Sequence, residues 1–196
     1  MPRFKDSIAA GGFIVETSKP RVAEPIELVA WDPAWPRRFE DMRARLAAEL
    51  GIRAVRIEHV GSTSIPGMIA KPVVDIQVSV NDVEDTDAYR AQIEAQGFEL
   101  RFVEPGHRYF RPPRGMAREF QVHVCQVGSE WERVHLLFRD YLRAHPDVAG
   151  EYGRMKLRLA QQHHAERIAY NDDKAGFIDA VVRVAEEWAR QTGWTA

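Results

Sequence analysis

At Gly128 the spacing of apolar residues along this 196-residue chain changes from every second position to every third or fourth, and it stays changed. A period of two belongs to half-buried strands and a period near 3.6 to amphipathic helices. The pattern therefore predicts an α/β core over 26–128 followed by a three-helix part over 129–190 packed on it. In the second half, Val134, Leu137, Phe138, Tyr141 and Leu142 share one helical face, with Ser129 as the cap. Pro146 restarts the chain into a helix carrying Val148, Tyr152, Met155 and Leu159, and Asn171 is expected to cap a third.

The first half reads as an alternation of strands and helices. Asp32-Pro33 has the form of a helix start, Phe39, Leu46 and Leu50 continue at helical spacing, and Gly51 ends the run. Val55–Val60 and Val73–Val80 alternate as strands, and Asp85–Gln96 reads as a helix stopped by Gly97. Three more β-type runs follow, over 98–103, 108–111 and 119–127, separated by Pro- and Gly-containing turns. Residues 1–25 have no sustained period and carry Gly11, Gly12, Pro20 and Pro25, so a flexible arm outside the fold is expected there. The class is α+β: a mixed β-sheet with flanking helices and a helical C-terminal part.

Charge narrows the partners. Twenty-seven Lys and Arg against twenty-nine Asp and Glu leave a formal net charge of −2, which argues against a dedicated binder of nucleic acid or membrane surfaces. Cys125 is the single cysteine, and no apolar run approaches the ~18 residues of a membrane span. A cytoplasmic location is expected.

The densest chemistry lies between Glu58 and Val78. A strand delivers Gly61, Ser62, Thr63 and Ser64, Lys71 follows, and a second strand carries Asp75 between Val74 and Ile76. Glycine permits close backbone approach, and successive amides and hydroxyls make a concavity that holds anions, with a lysine as point charge. The plainer reading is a tight strand end with a serine capping the next turn. Asp75 weighs against it, because a carboxylate in an apolar strand is costly unless it faces solvent, a metal or a partner.

The spacing of Val60-Gly61-Ser62 and Asp75-Ile76, with twelve residues between Ser62 and Asp75, resembles the nucleotidyltransferase superfamily. Two departures stand out: Gln77 occupies the second acidic position, and His123 falls at or near the third. A closer resemblance, from about Ile26 to Trp188, is to the GrpB family. It rests on Trp31-Asp32-Pro33-Ala34-Trp35-Pro36, on His59 to Gly67, on Lys71 to Ile76, on Phe138 to Arg143, and on Tyr152, Lys156, Tyr170, Lys174 and Phe177. The resemblance implies a nucleotidyltransferase-like fold that binds a nucleotide or phosphorylated small molecule. Gly61, Ser62, Thr63, Ser64, Lys71, Lys156, Tyr170 and Lys174 would hold the ligand. Asp75 would be the catalytic carboxylate; His123, set among valines, is either a satisfied core imidazole or, with Asp75, the holder of a single divalent ion, Mg, Mn or Zn. With one carboxylate of three retained, nucleotidyl transfer and an inactive ligand-binding or protein-interaction module both stay open.

Other signals are weaker. Gly106 to Arg114 with Arg118 gathers positive charge around two aromatics, either a phosphate contact or a solvated hairpin. Glu132 with His135 reads as a surface contact, His163-His164 as solvent-facing, and Cys125 as a small buried hydrophobe.

Overall fold

The computed structural model describes residues 13–14, 26–164 and 166–196. Helix α1 (Ala34–Leu50) starts where Asp32 Oδ1 accepts from the Ala34 amide at 2.8 Å and stops at Gly51, whose φ of 54° ends the regular backbone. Its buried stripe is Trp35, Phe39, Met42, Leu46 and Leu50. Strands β2 (Ala54–Val60) and β3 (Val74–Val80) pair antiparallel. The short helix α2 (Arg90–Ala95) leads to β4 (Glu99–Glu104), β5 (His107–Arg111) and β6 (Phe120–Gln126).

With β1 (Phe13–Ile14), these strands form one sheet in the order β1-β4-β5-β6-β3-β2. β3 and β6 run parallel and the other pairs antiparallel, so the sheet is mixed as expected. Alternation decides the two faces. Val74, Ile76, Val78, Val80, Val122, Val124 and Phe110 pack with α1 and Ile93 of α2 in one apolar core. The opposite face carries Asp75, Gln77, His123, His107 and Tyr109, and turns toward the helical part.

That part consists of α3 (Glu130–Ala144), α4 (Pro146–His163) and α5 (Arg167–Thr192). Ser129 caps α3, accepting from the Glu132 amide at 3.2 Å, while the Glu132 carboxylate accepts from the Gly128 amide at 2.6 Å. The serine caps the helix start, and the Glu132 carboxylate reaches back to the residue before the cap. The three helices share a second core, into which Ile65 and Met68 reach from the segment between β2 and β3.

Several expectations are corrected. Asn171 does not cap the last helix, because Glu166 O already accepts from the Tyr170 amide and α5 begins a turn earlier. The helix expected over 85–96 is α-helical only over Arg90–Ala95, after a 3₁₀ turn at Thr86–Ala88; that stretch is held by the Asp82 carboxylate and by Arg108 bonded to Thr86 and Glu84. Phe13–Ile14 pair with Val103 and Phe102, so these two residues belong to the sheet rather than to a free arm. The rest of 1–25 lies outside the described residues. Glu132 is buried rather than superficial, and His163 bonds Asp173 at 2.7 Å.

Candidate functional site

Strand β2 ends at Gly61, whose φ of +69° is open to glycine at little cost. A single 3₁₀ turn, Ser62–Ser64, follows and brings the chain back toward β3 and Asp75. Each hydroxyl of the turn has its own task. Ser64 Oγ donates to Gly61 O at 2.6 Å, closing the turn on itself. Thr63 Oγ1 donates to Val73 O at 3.2 Å and lies 2.9 Å from His59 Nε2. His59 faces α1, stacked on Phe39, and burial pushes its pKa down to about 4. Thr63 and Ser64, both expected among the ligand-holding groups, therefore spend their hydroxyls inside the protein as braces. Ser62 alone turns its hydroxyl toward the helical part.

There it meets Lys156. The ammonium donates to Ser62 Oγ at 2.9 Å and to Ile69 O, and it lies 4.7 Å from the centre of the Tyr152 ring. Lys71 Nζ stands 4.5 Å from the centre of the Tyr170 ring and Lys174 Nζ 5.4 Å from it. Cations over aromatic faces gain electrostatic attraction that partly offsets the loss of water. Burial, then the charges of Lys174 and Lys71, pull the Lys156 pKa down to about 7. Burial lowers Lys174 as well, and the Asp75 charge partly offsets it. The structure thus brings Gly61, Ser62, Lys71, Asp75, Lys156, Tyr170 and Lys174, far apart in sequence, to one place.

The acidic side of the site is sparse. His123 sits beside Asp75, with Nε2 3.8 Å from Oδ1, as expected from neighbouring parallel strands. Gln77 shares their face of the sheet but is fully buried, and neither atom of its amide has a hydrogen-bond partner. It does not line the open site. Among the described residues no group of three or more His, Cys, Asp or Glu side chains is arranged to hold a metal ion. One carboxylate and one imidazole do not fit the paired ions of two-metal phosphoryl chemistry.

Sequence reasoning missed the supports. Arg139 bonds Glu58 at 2.7 Å and His59 O at 3.1 Å, and Arg143 donates twice to Ser64 O. Both arginines lie at helical spacing on α3, so their shared face was readable; their target was not. The basic hairpin turns inward: Arg108 is buried and bonds Glu84 at 2.5 Å, and Arg118 donates to Tyr109 Oη at 2.5 Å. These two arginines turn in, while Arg114 to Ala117 at the tip are exposed. Cys125 is buried 3.7 Å from Ser79 Oγ, and burial pushes its thiol up to about 12.

A chain with this turn, this aspartate and this lysine-bearing helical part matches the family described as GrpB protein over residues 25–183, and it belongs to that family. It is 38% identical over 164 residues to a UPF0157 protein of Halalkalibacterium halodurans, covering 82% of each chain. Against the UPF0157 protein YqkA of Bacillus subtilis it is 33% identical over 184 residues, 93% of this chain but only 53% of that one. The crystal structure of the conserved protein GrpB from Enterococcus faecalis superposes with a TM-score of 0.74 at 33% identity, covering 83% of this chain and 99% of that chain. Among the described residues no helix is long and apolar enough to cross a membrane.

Proposed function

We propose that this protein binds a nucleotide or other phosphorylated small molecule between the Gly61–Ser64 turn and helices α4 and α5. The observation that carries this reading is the convergence of Lys71, Lys156 and Lys174 on one aromatic-lined spot beside Ser62. Three ammonium groups brought near one another raise each other's electrostatic energy. A di- or triphosphate placed among them relieves that repulsion and returns Lys156 toward its charged form. The Ser62 hydroxyl and the glycine-opened backbone beside it supply short-range contacts.

Nucleotidyl transfer from this site would use Asp75 as the catalytic carboxylate. The alternative, a ligand-binding module without transfer, is favoured by one observation: the second acidic position is an amide and is sealed from the site. The test is a calorimetric or thermal-shift comparison of ATP, ADP, AMP and inorganic pyrophosphate, each with and without Mg²⁺. Binding that strengthens with the number of phosphates supports the reading. Equal indifference to all four would overturn it.

A further inference from the structure

Four neighbouring strands, β4, β5, β6 and β3, each contribute one titratable side chain to a single line across the sheet. Glu104 Oε1 lies 2.7 Å from His107 Nδ1, His107 Nε2 lies 3.0 Å from His123 Nδ1, and His123 Nε2 faces Asp75 at 3.8 Å. The first two are hydrogen bonds; the last is too long to be one. Exposure grades along the line, from 6% at Glu104 and 8% at His107 to 21% at His123 and 28% at Asp75. Trp131 of α3 stacks on both imidazoles and holds their rings in place. His135, also on α3, is occupied elsewhere: its Nδ1 donates to Trp131 O at 2.7 Å.

The direction of these bonds follows from their end. An ionised carboxylate only accepts, so it places the His107 proton on Nδ1. His107 Nε2 is then a lone pair and accepts from His123 Nδ1–H. His123 Nε2 is left bare, in the accessible part of the site, with no hydrogen bond to Asp75. A nitrogen's protonation is decided by the bond its ring partner makes, and here that decision is made two residues away.

We propose that Glu104, His107 and His123 form a proton relay that opens at His123 Nε2 beside Asp75, ends on the Glu104 carboxylate, and serves a hydroxyl-bearing acceptor at the phospho-ligand site. The acceptor rests on the ligand reading above; the relay does not. In one passage the hydroxyl proton moves to His123 Nε2, the His123 Nδ1 proton to His107 Nε2, and the His107 Nδ1 proton to Glu104. The net change is one O–H bond broken at the acceptor and one formed at the carboxyl. In a nucleotidyl transfer the freed oxygen pair bonds to the α-phosphorus of the nucleoside triphosphate as the bond to pyrophosphate breaks. Burial supports this traffic: it lifts the Glu104 carboxyl to about 7 and holds His107 well below the usual imidazole range. The charges of His123, His135 and Arg108 add to the depression of His107. The two hydrogen bonds give the proton its path through the imidazoles to the carboxyl.

The test reads histidine tautomers by long-range proton–nitrogen NMR in the full chain, at about pH 8.5, where Glu104 is ionised. Free neutral histidine prefers the Nε2–H form, so the expected Nδ1–H form of both His107 and His123 is a distinctive signature. Glu104→Met should invert both, although residue 104 does not touch His123. His107→Phe, which keeps a ring against Trp131, should invert His123 alone and stands if the first variant does not fold. His135 stays Nδ1–H throughout as the internal reference. Wild-type His123 in the Nε2–H form, or a His123 tautomer unmoved by either variant, overturns the relay. A wild-type chain with the coupled tautomers but no thermal shift with pyrophosphate or ATP would keep the relay and remove the ligand reading.

Discussion

Gly61 and Asp75 are so close that a β-carbon built on Gly61 would lie 2.2 Å from Asp75 Oδ2. Glycine at the end of β2 is thus what lets the carboxylate occupy its place, quite apart from any ligand. Gly61→Ala should cost about 1–3 kcal/mol through the positive φ and should also push Asp75 out of line. Gly67→Ala is the control, since its φ is +76° but nothing lies within 4 Å of the added carbon. Urea midpoints should fall for both variants. The response to nucleotide should fall only for Gly61→Ala, and equal losses in the two would remove the special role of the Asp75 contact.

Lys156 should make ligand binding depend on pH. Its pKa near 7 means that half of the molecules lose this cation at neutrality, so pyrophosphate affinity should decline as pH rises through that value. Lys156→Met keeps the length and removes the charge. Calorimetry should show binding about tenfold or more weaker, with the pH dependence flattened. The same depression also affects stability. The unfolded chain binds the proton that the folded chain lacks between about 7 and the usual lysine value, so this group's contribution to stability rises with pH across that window. A variant that binds pyrophosphate with unchanged affinity would exclude Lys156 from the site.

Much of the site was legible because its residues carry local signals. Gly61-Ser62 marks a strand end and Asp75 breaks an apolar strand, whereas Lys156, Tyr170 and Lys174 are singled out only by the family resemblance. Parallel pairing of β3 with β6 could not be read from either strand, yet it is what sets His123 beside Asp75. The Glu104–His107 pair was missed for a related reason. Both residues sit at the tight β4–β5 turn, where a glutamate and a histidine read as ordinary surface polarity, and only the sheet order buries them. A helix capped at Asn171 would hold Lys174 in its first turn. The earlier start of α5 places it further inside, and its cation is held by the Tyr170 ring rather than by a helix end.

Acid should unfold this protein through its histidines. Burial lowers His59 and His135 to about 4 and His107 well below the usual range, so the unfolded chain takes up their protons first. Their contribution is complete above the ordinary histidine value near 6.5 and is lost progressively as pH falls toward 4. Glu104 acts in the opposite sense. Its raised pKa favours the folded state as pH drops from about 7 toward its ordinary value. Three groups outweigh one, so melting temperature should fall between pH 7 and pH 5. His59→Phe, which keeps the stack on Phe39, should reduce that slope. A profile flat over the same range in the wild type would show that the histidines ionise in place.

The charge of Asp75 separates a binder from a metal-dependent transferase by the sign of one effect. In a site that holds phosphate with lysines alone, the Asp75 carboxylate repels the ligand, and Asp75→Asn should tighten ATP about three- to tenfold. In a site that holds Mg²⁺ with its nucleotide, the same change removes an acidic ligand and weakens MgATP. With Gln77 sealed away and no metal-holding group of three His, Cys, Asp or Glu side chains among the described residues, the first sign is expected. The titration belongs below about pH 7, where Lys156 keeps its proton. It should be run both with Mg²⁺ and with EDTA, because a lysine-held phosphate keeps its affinity when the ion is removed. Mg²⁺-dependent incorporation of labelled nucleotide should stay at background in the wild type. Enzyme-like incorporation that Asp75→Asn abolishes, together with weaker MgATP binding, would establish the transferase instead.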